Sequence, residues 1–264
     1  VEAENKRKEE IIKAKEEIMN ARNELDQEIR ERRGEVQSQE RRLIQKEENL
    51  ERKIEKIENK EKGLINIAVV RLPRISNFTD FDVFSQYEGV SVRYASKPGE
   101  LEGADMMILP GTKSTLGDMR WLRESGMEAM IKKLNFGGVP VFGVCGGYQM
   151  LGRRISDPEN TEGGGSLRGI GLLPVETVFR TAKTTVQTHG TVADIAGVLH
   201  GLSGLAVEGY EIHMGETVRD ADAQPFVTLK HGEHEVPDGC VTENACGTYL
   251  HGVFDAPEAA QRLA

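Results

Sequence analysis

The composition of the chain changes abruptly at Gly63, and this change constrains the fold more than any other feature of the sequence. Residues 1–62 contain no proline and no aromatic residue, but they hold 17 of the 34 basic and 18 of the 43 acidic residues. From Gly63 onward, all the prolines, all the aromatic residues and 27 further glycines appear. The sequence therefore predicts a long charged helix over residues 1–62 and a globular domain over residues 63–264.

An apolar stripe runs along the predicted N-terminal helix. Ile11, Ile18 and Leu25 recur every seven residues, and after a step of four the same spacing continues from Ile29 to Ile57. This is the heptad spacing of a coiled coil, although most partner positions in the stripe are polar. Two outcomes stay open for this segment, namely self-association through the stripe and a solvated helix.

Charge and cysteine content argue against several classes of protein. A net charge of −9 and a pI near 5.3 provide no basic surface for nucleic acid or for an anionic membrane. The three cysteines cannot all pair with one another, which fits a reducing cytoplasm, and they show no zinc-ligand spacing. No apolar run reaches the ~18 residues of a membrane span. We therefore expect a cytoplasmic protein without a metal site. The missing initial Met and the stop soon after Pro257 predict that the chain is truncated, in particular at its C-terminus.

Short apolar segments alternate with a helical pattern after Gly63. Four buried strands are predicted, over Ile65–Val70, Val90–Tyr94, Met106–Leu109 and Val139–Val144. One helix is predicted over Ser114–Leu134. This alternation indicates an α/β fold with a mostly parallel sheet flanked by helices. Later segments predict antiparallel strands that extend the same sheet, over Thr184–His189, Leu205–His213 and Phe226–Lys230.

Cys145 lies between an apolar strand and a predicted helix, with Gly143 before it and Gly146 and Gly147 after it. This is the layout of a nucleophile elbow, in which a tight turn lifts one side chain clear of the sheet. The helix N-terminus favours the thiolate over the thiol. A free cysteine in an arbitrary strand is usually buried and inert, but here the flanking glycines leave the sulfur uncovered. The sequence therefore predicts that Cys145 is a nucleophile.

Two backbone N–H groups are candidates to bind an oxyanion near this cysteine. Gly146 follows it directly, and Gly111 lies where the strand ending at Leu109 gives way to a helix. Open α/β sheets bind ligands at such strand ends. One donor of this kind typically contributes ~2.7–4 kcal/mol to transition-state stabilisation. The alternative interpretation of residues 108–114 is a plain turn with Ser114 as the helix N-cap.

A cysteine nucleophile also needs a base, and the chain has six histidines. His251 ends a short predicted strand, so its side chain is expected at a strand end. His213 follows a similar segment. Sequence spacing alone does not choose between these two residues.

Four ordered motifs resemble the signature blocks of the glutaminase domain of cobyric acid synthase. They are Pro-Gly-Thr-Lys-Ser-Thr at 110–115, Gly-Val-Cys-Gly-Gly-Tyr-Gln-Met-Leu-Gly at 143–152, Tyr-Glu-Ile-His-Met-Gly at 210–215 and Gly-Thr-Tyr-Leu-His-Gly-Val-Phe-Asp at 247–255. Residues 74–82 resemble the start of that domain. The resemblance spans residues 64–264 and implies a class I glutamine amidotransferase fold, which is flavodoxin-like. It assigns the nucleophile to Cys145 and the base to His251.

The resemblance also implies a reaction and a set of partners. Glutamine would be hydrolysed through a γ-glutamyl thioester, and the ammonia would pass to a synthetase that uses ATP and magnesium to amidate corrinoid carboxylates in cobalamin biosynthesis. No cofactor is expected in the glutaminase domain itself. No Gly-x-x-x-x-Gly-Lys-Ser/Thr loop occurs in the chain, so the synthetase is expected elsewhere. Gly111, Gly146, Gln149 and His213 are expected to line the oxyanion and substrate site.

The residue that orients His251 is left open by these motifs. Other glutaminases of this fold carry an acid two residues after the histidine, whereas here that position is Val253. We therefore expect Glu211 or a backbone carbonyl to orient the imidazole.

Residues 1–63 resemble the coiled-coil region of ribonuclease Y, especially in Asn-Glu-Leu-Asp-Gln-Glu-Ile-Arg-Glu-Arg-Arg-Gly-Glu-Val at 23–36. The RNA-binding and nuclease domains of that family do not follow here, so nuclease activity is not implied. Two alternatives to the corrinoid function remain. One is a coiled-coil scaffold, or a chimeric fusion, that carries a latent glutaminase domain. The other is a related glutaminase that amidates a cell-wall lipid intermediate.

Overall fold

The structure is a computed structural model that describes residues 65–256 and 258–263, together with the isolated helical positions Met19 and Arg32. Apart from these two positions, the predicted coiled coil and its boundary at Gly63 lie outside the described residues. Within the described part, no helix has the length and apolarity needed to cross a membrane. The same residues contain no group of three or more His, Cys, Asp or Glu side chains placed to hold a metal ion.

The described residues form thirteen strands and four α-helices. The strands are β1 (Ile65–Val70), β2 (Val90–Ala95), β3 (Met106–Leu109), β4 (Val141–Val144), β5 (Arg154–Asp157), β6 (Gly165–Arg168), β7 (Val175–Val192), β8 (Ala206–Arg219), β9 (Val227–His231), β10 (His234–Asp238), β11 (Cys240–Val241), β12 (Ala245–Thr248) and β13 (Leu250–His251). The α-helices are α1 (Thr115–Glu124), α2 (Met127–Phe136), α3 (Gly146–Leu151) and α4 (Ala259–Leu263). Short 3₁₀ helices cover Phe78–Gln86, Pro98–Leu101, His200–Leu202 and Val253–Asp255.

The first sheet is mostly parallel and buried. Its strands lie in the order β11-β12-β4-β3-β1-β2, and only β11 is antiparallel to its neighbour. Apolar clusters cover both of its faces, which is why strands such as β3 and β4 are apolar and buried along their whole length. The α/β class and the four predicted strands of this sheet are confirmed.

The helix predicted over Ser114–Leu134 is two helices, α1 and α2. Gly126 separates them with a φ of 79°, in the left-handed region where a helix commonly ends. Leu116, Met119 and Leu122 still form the buried face of α1, as their spacing predicts. The prediction was therefore right about helical periodicity and wrong about continuity.

The later strands form a second sheet, so the prediction that they extend the first sheet was wrong. The second sheet runs β10-β9-β7-β5-β6, with β8 paired to β7 and β13 paired to β8. The edge beside β4 is occupied by β12 and then β11. The long strands β7 and β8 pair with each other instead, antiparallel, from Val175 opposite Arg219 to Thr191 opposite Ala206.

Aromatic packing under the first sheet fixes two loops near the ends of β4 and β13. The ring centroids of Phe84 and Phe254 are 4.9 Å apart, and those of Phe142 and Phe254 are 5.0 Å apart. Each such pair contributes ~0.5–1.5 kcal/mol beyond burial. The contacts join the 3₁₀ helix at 78–86, β4, and the turn that follows His251.

Candidate active site

Cys145 forms the turn between β4 and α3, with φ 51° and ψ −110°. A non-glycine residue in such a conformation stores ~1–3 kcal/mol of strain, which the surrounding structure must offset. The backbone N–H of Cys145 donates to the carbonyl of Thr248 at 2.8 Å, and its carbonyl accepts from the N–H of Gln149 at 3.1 Å. Its thiol is partly exposed, with Sγ 3.5 Å from the carbonyl oxygen of Ile212. The predicted elbow is therefore present.

Two glycines make this turn possible. A Cβ added to Gly147 would lie 1.8 Å from the carbonyl oxygen of Leu109, and a Cβ added to Gly143 would lie 2.7 Å from Cδ1 of Leu151. Both distances are shorter than non-bonded contacts allow. Only glycine at these positions lets α3 pack directly against β3 and β4.

The structure brings the loops after β3 and β4 together at this turn. A Cβ added to Gly146 would lie 2.7 Å from Cγ2 of Thr112, and one added to Gly111 would lie 3.4 Å from Cε1 of His251. Gly111 and Gly146, the two candidate oxyanion donors, thus lie beside the candidate nucleophile and base. An oxyanion hole needs backbone N–H donors close to the nucleophile, so both glycines remain candidates for that role.

His251 ends β13 and is only 2% exposed. Its Nδ1 lies 2.6 Å from Oδ2 of Asp80, and Cys145 lies close enough to the ring to influence its pKa. The ring of Tyr210 stacks on the imidazole with centroids 5.0 Å apart. Because a carboxylate only accepts hydrogen bonds, Nδ1 carries a proton and Nε2 is left for the sulfur. The three side chains form a Cys–His–Asp arrangement.

The surroundings of His251 favour its charged form. Burial lowers the pKa of His251, but the hydrogen bonds and charges of Asp80 and Cys145 outweigh this effect and raise it to about 9. At neutral pH the ring is therefore an imidazolium, which can stabilise a nearby negative charge and deliver a proton.

Glu211 does not lie against His251, and this corrects the expectation that it orients the base. Its carboxylate accepts from Nε2 of His231 at 2.7 Å and lies 4.0 Å from Nε2 of His213. Glu211 on β8 pairs with Leu250 on β13, so these two side chains point to the same face of the sheet. His251 follows Leu250 along β13, so its side chain points to the opposite face. Asp80 occupies the position expected for the orienter.

Sequence reasoning missed Asp80, although it lies within the segment 74–82 that resembles the start of the glutaminase domain. The 3₁₀ helix at 78–86 carries Asp80, and Phe84 anchors that helix on the first sheet. Before it, Asn77 adopts a left-handed conformation with φ 54° and donates from Nδ2 to the hydroxyl of Tyr210 at 2.8 Å. An Asn-x-x-Asp segment after a strand was the available signal, but nothing local connects it to residue 251.

Gln149 and His213 line the same cavity as Cys145. The amide of Gln149 is held at both ends, since Oε1 accepts from Oγ1 of Thr115 at 3.1 Å and Nε2 donates to the hydroxyl of Tyr249 at 3.0 Å. Nδ1 of His213 donates to the carbonyl of Gly215 at 2.8 Å, and burial lowers the pKa of this histidine. His213 is thus a neutral wall of the cavity, whereas Asp80 and Cys145 raise the pKa of His251.

The cavity in front of Cys145 has a volume of about 390 Å³. Its lining consists of Ser76, Asn77, Thr112, Lys113, Thr115, Cys145, Gly146, Gln149, Glu162, Phe179, Lys183, Ile212, His213, Met214 and His251. The other two cysteines of the chain are buried away from it. Burial raises the pKa of Cys240 to about 11 and also raises that of Cys246. Cys145 is therefore the thiol that a ligand in the cavity can reach.

The fold and the site define a class I glutamine amidotransferase. The solved structure of PurLQS from Thermotoga maritima superimposes with a TM-score of 0.58 and 16% identity, covering 76% of this chain and 97% of that chain. A solved glutamine amidotransferase gives a TM-score of 0.52 and 17% identity, covering 74% and 95%. At these identities the similarity concerns the fold alone.

Residues 66–259 match the CobB/CobQ-like glutamine amidotransferase domain, and the chain belongs to this family. Cobyric acid synthase from Ruminiclostridium cellulolyticum is 47% identical over 206 residues, which are 76% of this chain and 40% of that protein. Cobyric acid synthase from Citrobacter koseri is 52% identical over 206 residues, which are 77% of this chain and 40% of that protein. The chain thus spans about 40% of the length of these relatives.

The N-terminal part of the chain is similar to a second family. Residues 1–69 match the RNase Y N-terminal region, which confirms the resemblance seen in the sequence. The two matched segments overlap at residues 66–69, where β1 begins the described domain.

Proposed function

We propose that this chain hydrolyses the side-chain amide of glutamine through a covalent thioester on Cys145. The observation that carries the proposal is that Cys145 and His251 line the same open cavity, with His251 held by Asp80 at 2.6 Å. The family match and the separation of Cys240 and Cys246 from the cavity support it.

The geometry supports a two-step reaction. The thiolate of Cys145 attacks the amide carbon, and N–H groups of Gly111 and Gly146 stabilise the oxyanion. The imidazolium of His251 gives its proton to the departing nitrogen, so that ammonia leaves and the thioester remains. Water then attacks the thioester while His251 accepts a proton from it, and collapse of the second oxyanion releases glutamate and restores the thiolate. Asp80 keeps Nε2 of the ring aimed at the sulfur throughout.

We further propose that the ammonia is used by a separate synthetase domain or subunit that amidates corrinoid carboxylates. The name of the relatives, cobyric acid synthase, and the motif at 210–215 favour this acceptor over a cell-wall lipid. ATP and magnesium belong to that synthetase in this proposal, because no Gly-x-x-x-x-Gly-Lys-Ser/Thr motif occurs in the sequence. A cytoplasmic location, expected from the cysteine content, is part of the same proposal.

The test is labelling of the full chain with diazo-oxo-norleucine, a glutamine analogue with a diazoketone in place of the amide. Mass spectrometry then identifies the modified cysteine. We expect modification of Cys145 that glutamine prevents. No labelling, or equal labelling of Cys240 and Cys246, would overturn the proposal.

A second proposal concerns residues 1–62, for which the RNase Y match favours self-association through the apolar stripe. In this case the segment is a scaffold for a glutaminase that stays latent without its synthetase. Sedimentation equilibrium of the full chain should give an oligomer that Ile18→Lys with Leu43→Lys converts to a monomer. A monomeric unsubstituted chain would contradict this.

A further inference from the structure

The hydrogen bond to Asp80 fixes one atom of the His251 ring but not the plane of the ring. It holds Nδ1 at 2.6 Å from the carboxylate. Rotation of the ring about its bond to Cβ is soft in histidine, because a torsion between a tetrahedral and a planar carbon has broad minima. A second contact, on the face of the ring, is therefore needed to fix the direction in which Nε2 points.

Tyr210 supplies a contact on the face of this ring. The two residues are paired across β8 and β13, so their side chains lie on the same face of the sheet. The ring centroids are 5.0 Å apart and the ring planes differ by 13°. The backbones approach closely here, since a Cβ added to Gly209 would lie 1.8 Å from the carbonyl oxygen of His251. The pairing of two strands thus sets the stack, and the phenol ring limits how far the imidazole can tilt.

The hydroxyl group of Tyr210 acts on the same histidine by a second route. It accepts from Nδ2 of Asn77 at 2.8 Å, and this Nδ2 lies 3.3 Å from Nδ1 of His251. Asn77 has a left-handed backbone, and its carbonyl accepts from the N–H of Asp80 at 3.1 Å. Asn77 and Asp80 therefore belong to one turn, and the hydroxyl ties that turn to β8.

Tyr210 itself does not belong to the described lining of the cavity at Cys145. A substrate in that cavity meets His251 but not the phenol. Burial and the charge of Asp80 raise the pKa of Tyr210 above its ordinary value of 10.0, so the hydroxyl stays neutral at the pH of the reaction. Tyr210 is therefore suited to hold the base, and not to transfer a proton or to bind the substrate.

We propose that Tyr210 is the positioning residue for His251, with its ring fixing the plane of the imidazole and its hydroxyl fixing the turn that carries Asp80. This inference rests on the proposed glutaminase function and adds a residue that acts on the reaction through the base. Substitution can separate the two contributions, because the ring and the hydroxyl make different contacts.

The test measures how fast diazo-oxo-norleucine labels Cys145 in the full chain, as a maximal rate and a half-saturating concentration. Labelling needs the base as well as the sulfur. The imidazolium gives its proton to the carbon that bears the diazo group, the thiolate forms a bond to that carbon, and the carbon–nitrogen bond breaks with release of N₂. The maximal rate therefore reports how well His251 is aimed, and the half-saturating concentration reports binding of the analogue.

Two substitutions of the tyrosine separate the ring from the hydroxyl. Tyr210→Leu removes both and should lower the maximal labelling rate about 10–100-fold, as for misplacement of a reacting group by about 1 Å. Tyr210→Phe keeps the ring and should lower this rate less than about tenfold, the usual effect of losing one neutral hydrogen bond. The half-saturating concentration should change less than about twofold in both variants, because Tyr210 does not line the cavity.

A pH profile separates positioning from a general loss of structure. A tyrosine ring stacked on an imidazolium favours the charged form, so Tyr210→Leu should lower the pKa of His251 from about 9. The fall of the labelling rate at alkaline pH should then begin roughly half a pH unit lower. The other titratable groups near the ring, Asp80, Cys145 and His213, are unchanged in this variant. Tyr210→Phe keeps the ring face, so its profile should match that of the unsubstituted chain.

Further variants test the route through Asn77. Asn77→Gly removes the amide but permits the left-handed backbone. Because the hydroxyl acts through this amide, adding Tyr210→Phe to Asn77→Gly should lower the rate no further. Tyr94→Phe is the matched control, since its hydroxyl donates to the carbonyl of Phe78 at 3.2 Å, in the same 3₁₀ helix but from the edge strand β2. It should leave the labelling rate unchanged, and a loss equal to that of Tyr210→Phe would contradict the route through Asn77.

The outcomes separate this inference from the proposed function. An unchanged maximal rate in Tyr210→Leu would overturn the inference, and a lowered rate with an unshifted pH profile would mean that Tyr210 only supports the fold. A raised half-saturating concentration alone would place Tyr210 in substrate binding instead. In each case glutamine-protected labelling of Cys145 in the unsubstituted chain would keep the glutaminase proposal. Absence of labelling in the unsubstituted chain would overturn both.

Discussion

The two sheets contribute different parts of the candidate site, and they differ in construction. The first sheet is mostly parallel, its central strands are buried, and it supplies Cys145 from the end of β4. The second sheet is mostly antiparallel and partly exposed, and it supplies Lys183 from β7 and His213 from β8. His251 belongs to the crossing between them, since β12 pairs with β4 and β13 pairs with β8. The nucleophile thus depends on a local turn, whereas the base depends on how the two sheets assemble.

The largest effect on glutamine hydrolysis is expected from His251, which lies where the chain passes from the first sheet to the second. His251→Ala should lower glutamine hydrolysis by about 10³–10⁴-fold, since it removes the group that transfers both protons. His213→Ala, on the second sheet alone, should act mainly on KM. Steady-state release of glutamate measures both variants. A larger loss of kcat for His213→Ala than for His251→Ala would mean that His213, and not His251, is the base.

The turn between β4 and α3 should not tolerate a residue larger than glycine at Gly147. Gly147→Ala places a methyl group 1.8 Å from the carbonyl oxygen of Leu109, so we expect a loss of about 3 kcal/mol or more in unfolding free energy. Gly138→Ala is the matched control, because its φ is 93° with no atom within 4 Å of the added carbon. It should cost only the backbone strain, about 1–2 kcal/mol. Urea unfolding compares them, and equal losses would deny that close packing defines the elbow.

The two acids near the crossing should differ in their effect on catalysis. Asp80→Asn should lower kcat by about 10²-fold, because it removes the charge that orients and protonates His251. Glu211→Gln, which changes the partner of His231, should lower kcat less than about fivefold. The pH profile of kcat should shift only for Asp80→Asn. A shift confined to Glu211→Gln would restore Glu211 as the orienter.

The smallest expected effect is on the way the free energy of unfolding depends on pH. The pKa of His251 is about 9 in the folded chain and near 6.5 for an unperturbed histidine, so its contacts stabilise the fold fully below pH 6.5. This stabilisation is lost as the pH rises through 9. The difference in unfolding free energy between the unsubstituted chain and Asp80→Asn should therefore shrink by roughly 1–2 kcal/mol from pH 6 to pH 9.5. A difference that grows with pH would contradict an imidazolium at this position.

Prediction from sequence succeeded where chemistry is encoded by neighbouring residues. The strand, the glycines and the helix around Cys145 are contiguous, so the elbow and its exposed sulfur follow from local sterics. The same reasoning placed Gly111 at the end of β3. It failed for β7 and β8, because a period of two predicts a strand but does not say which sheet edge is free to accept it.

The sequence by itself determined the class of the fold, the position of Cys145 and the short set of histidines that could serve it, since these depend on local periodicity and turn chemistry. Tertiary structure decided which side chains contact the catalytic candidates. Asp80 and His251 are 171 residues apart, and their hydrogen bond exists because Phe84 and Phe254 pack on the first sheet while β13 crosses to the second. Hydrophobic packing of this kind is non-directional, so the local sequence does not predict which acid will contact the base.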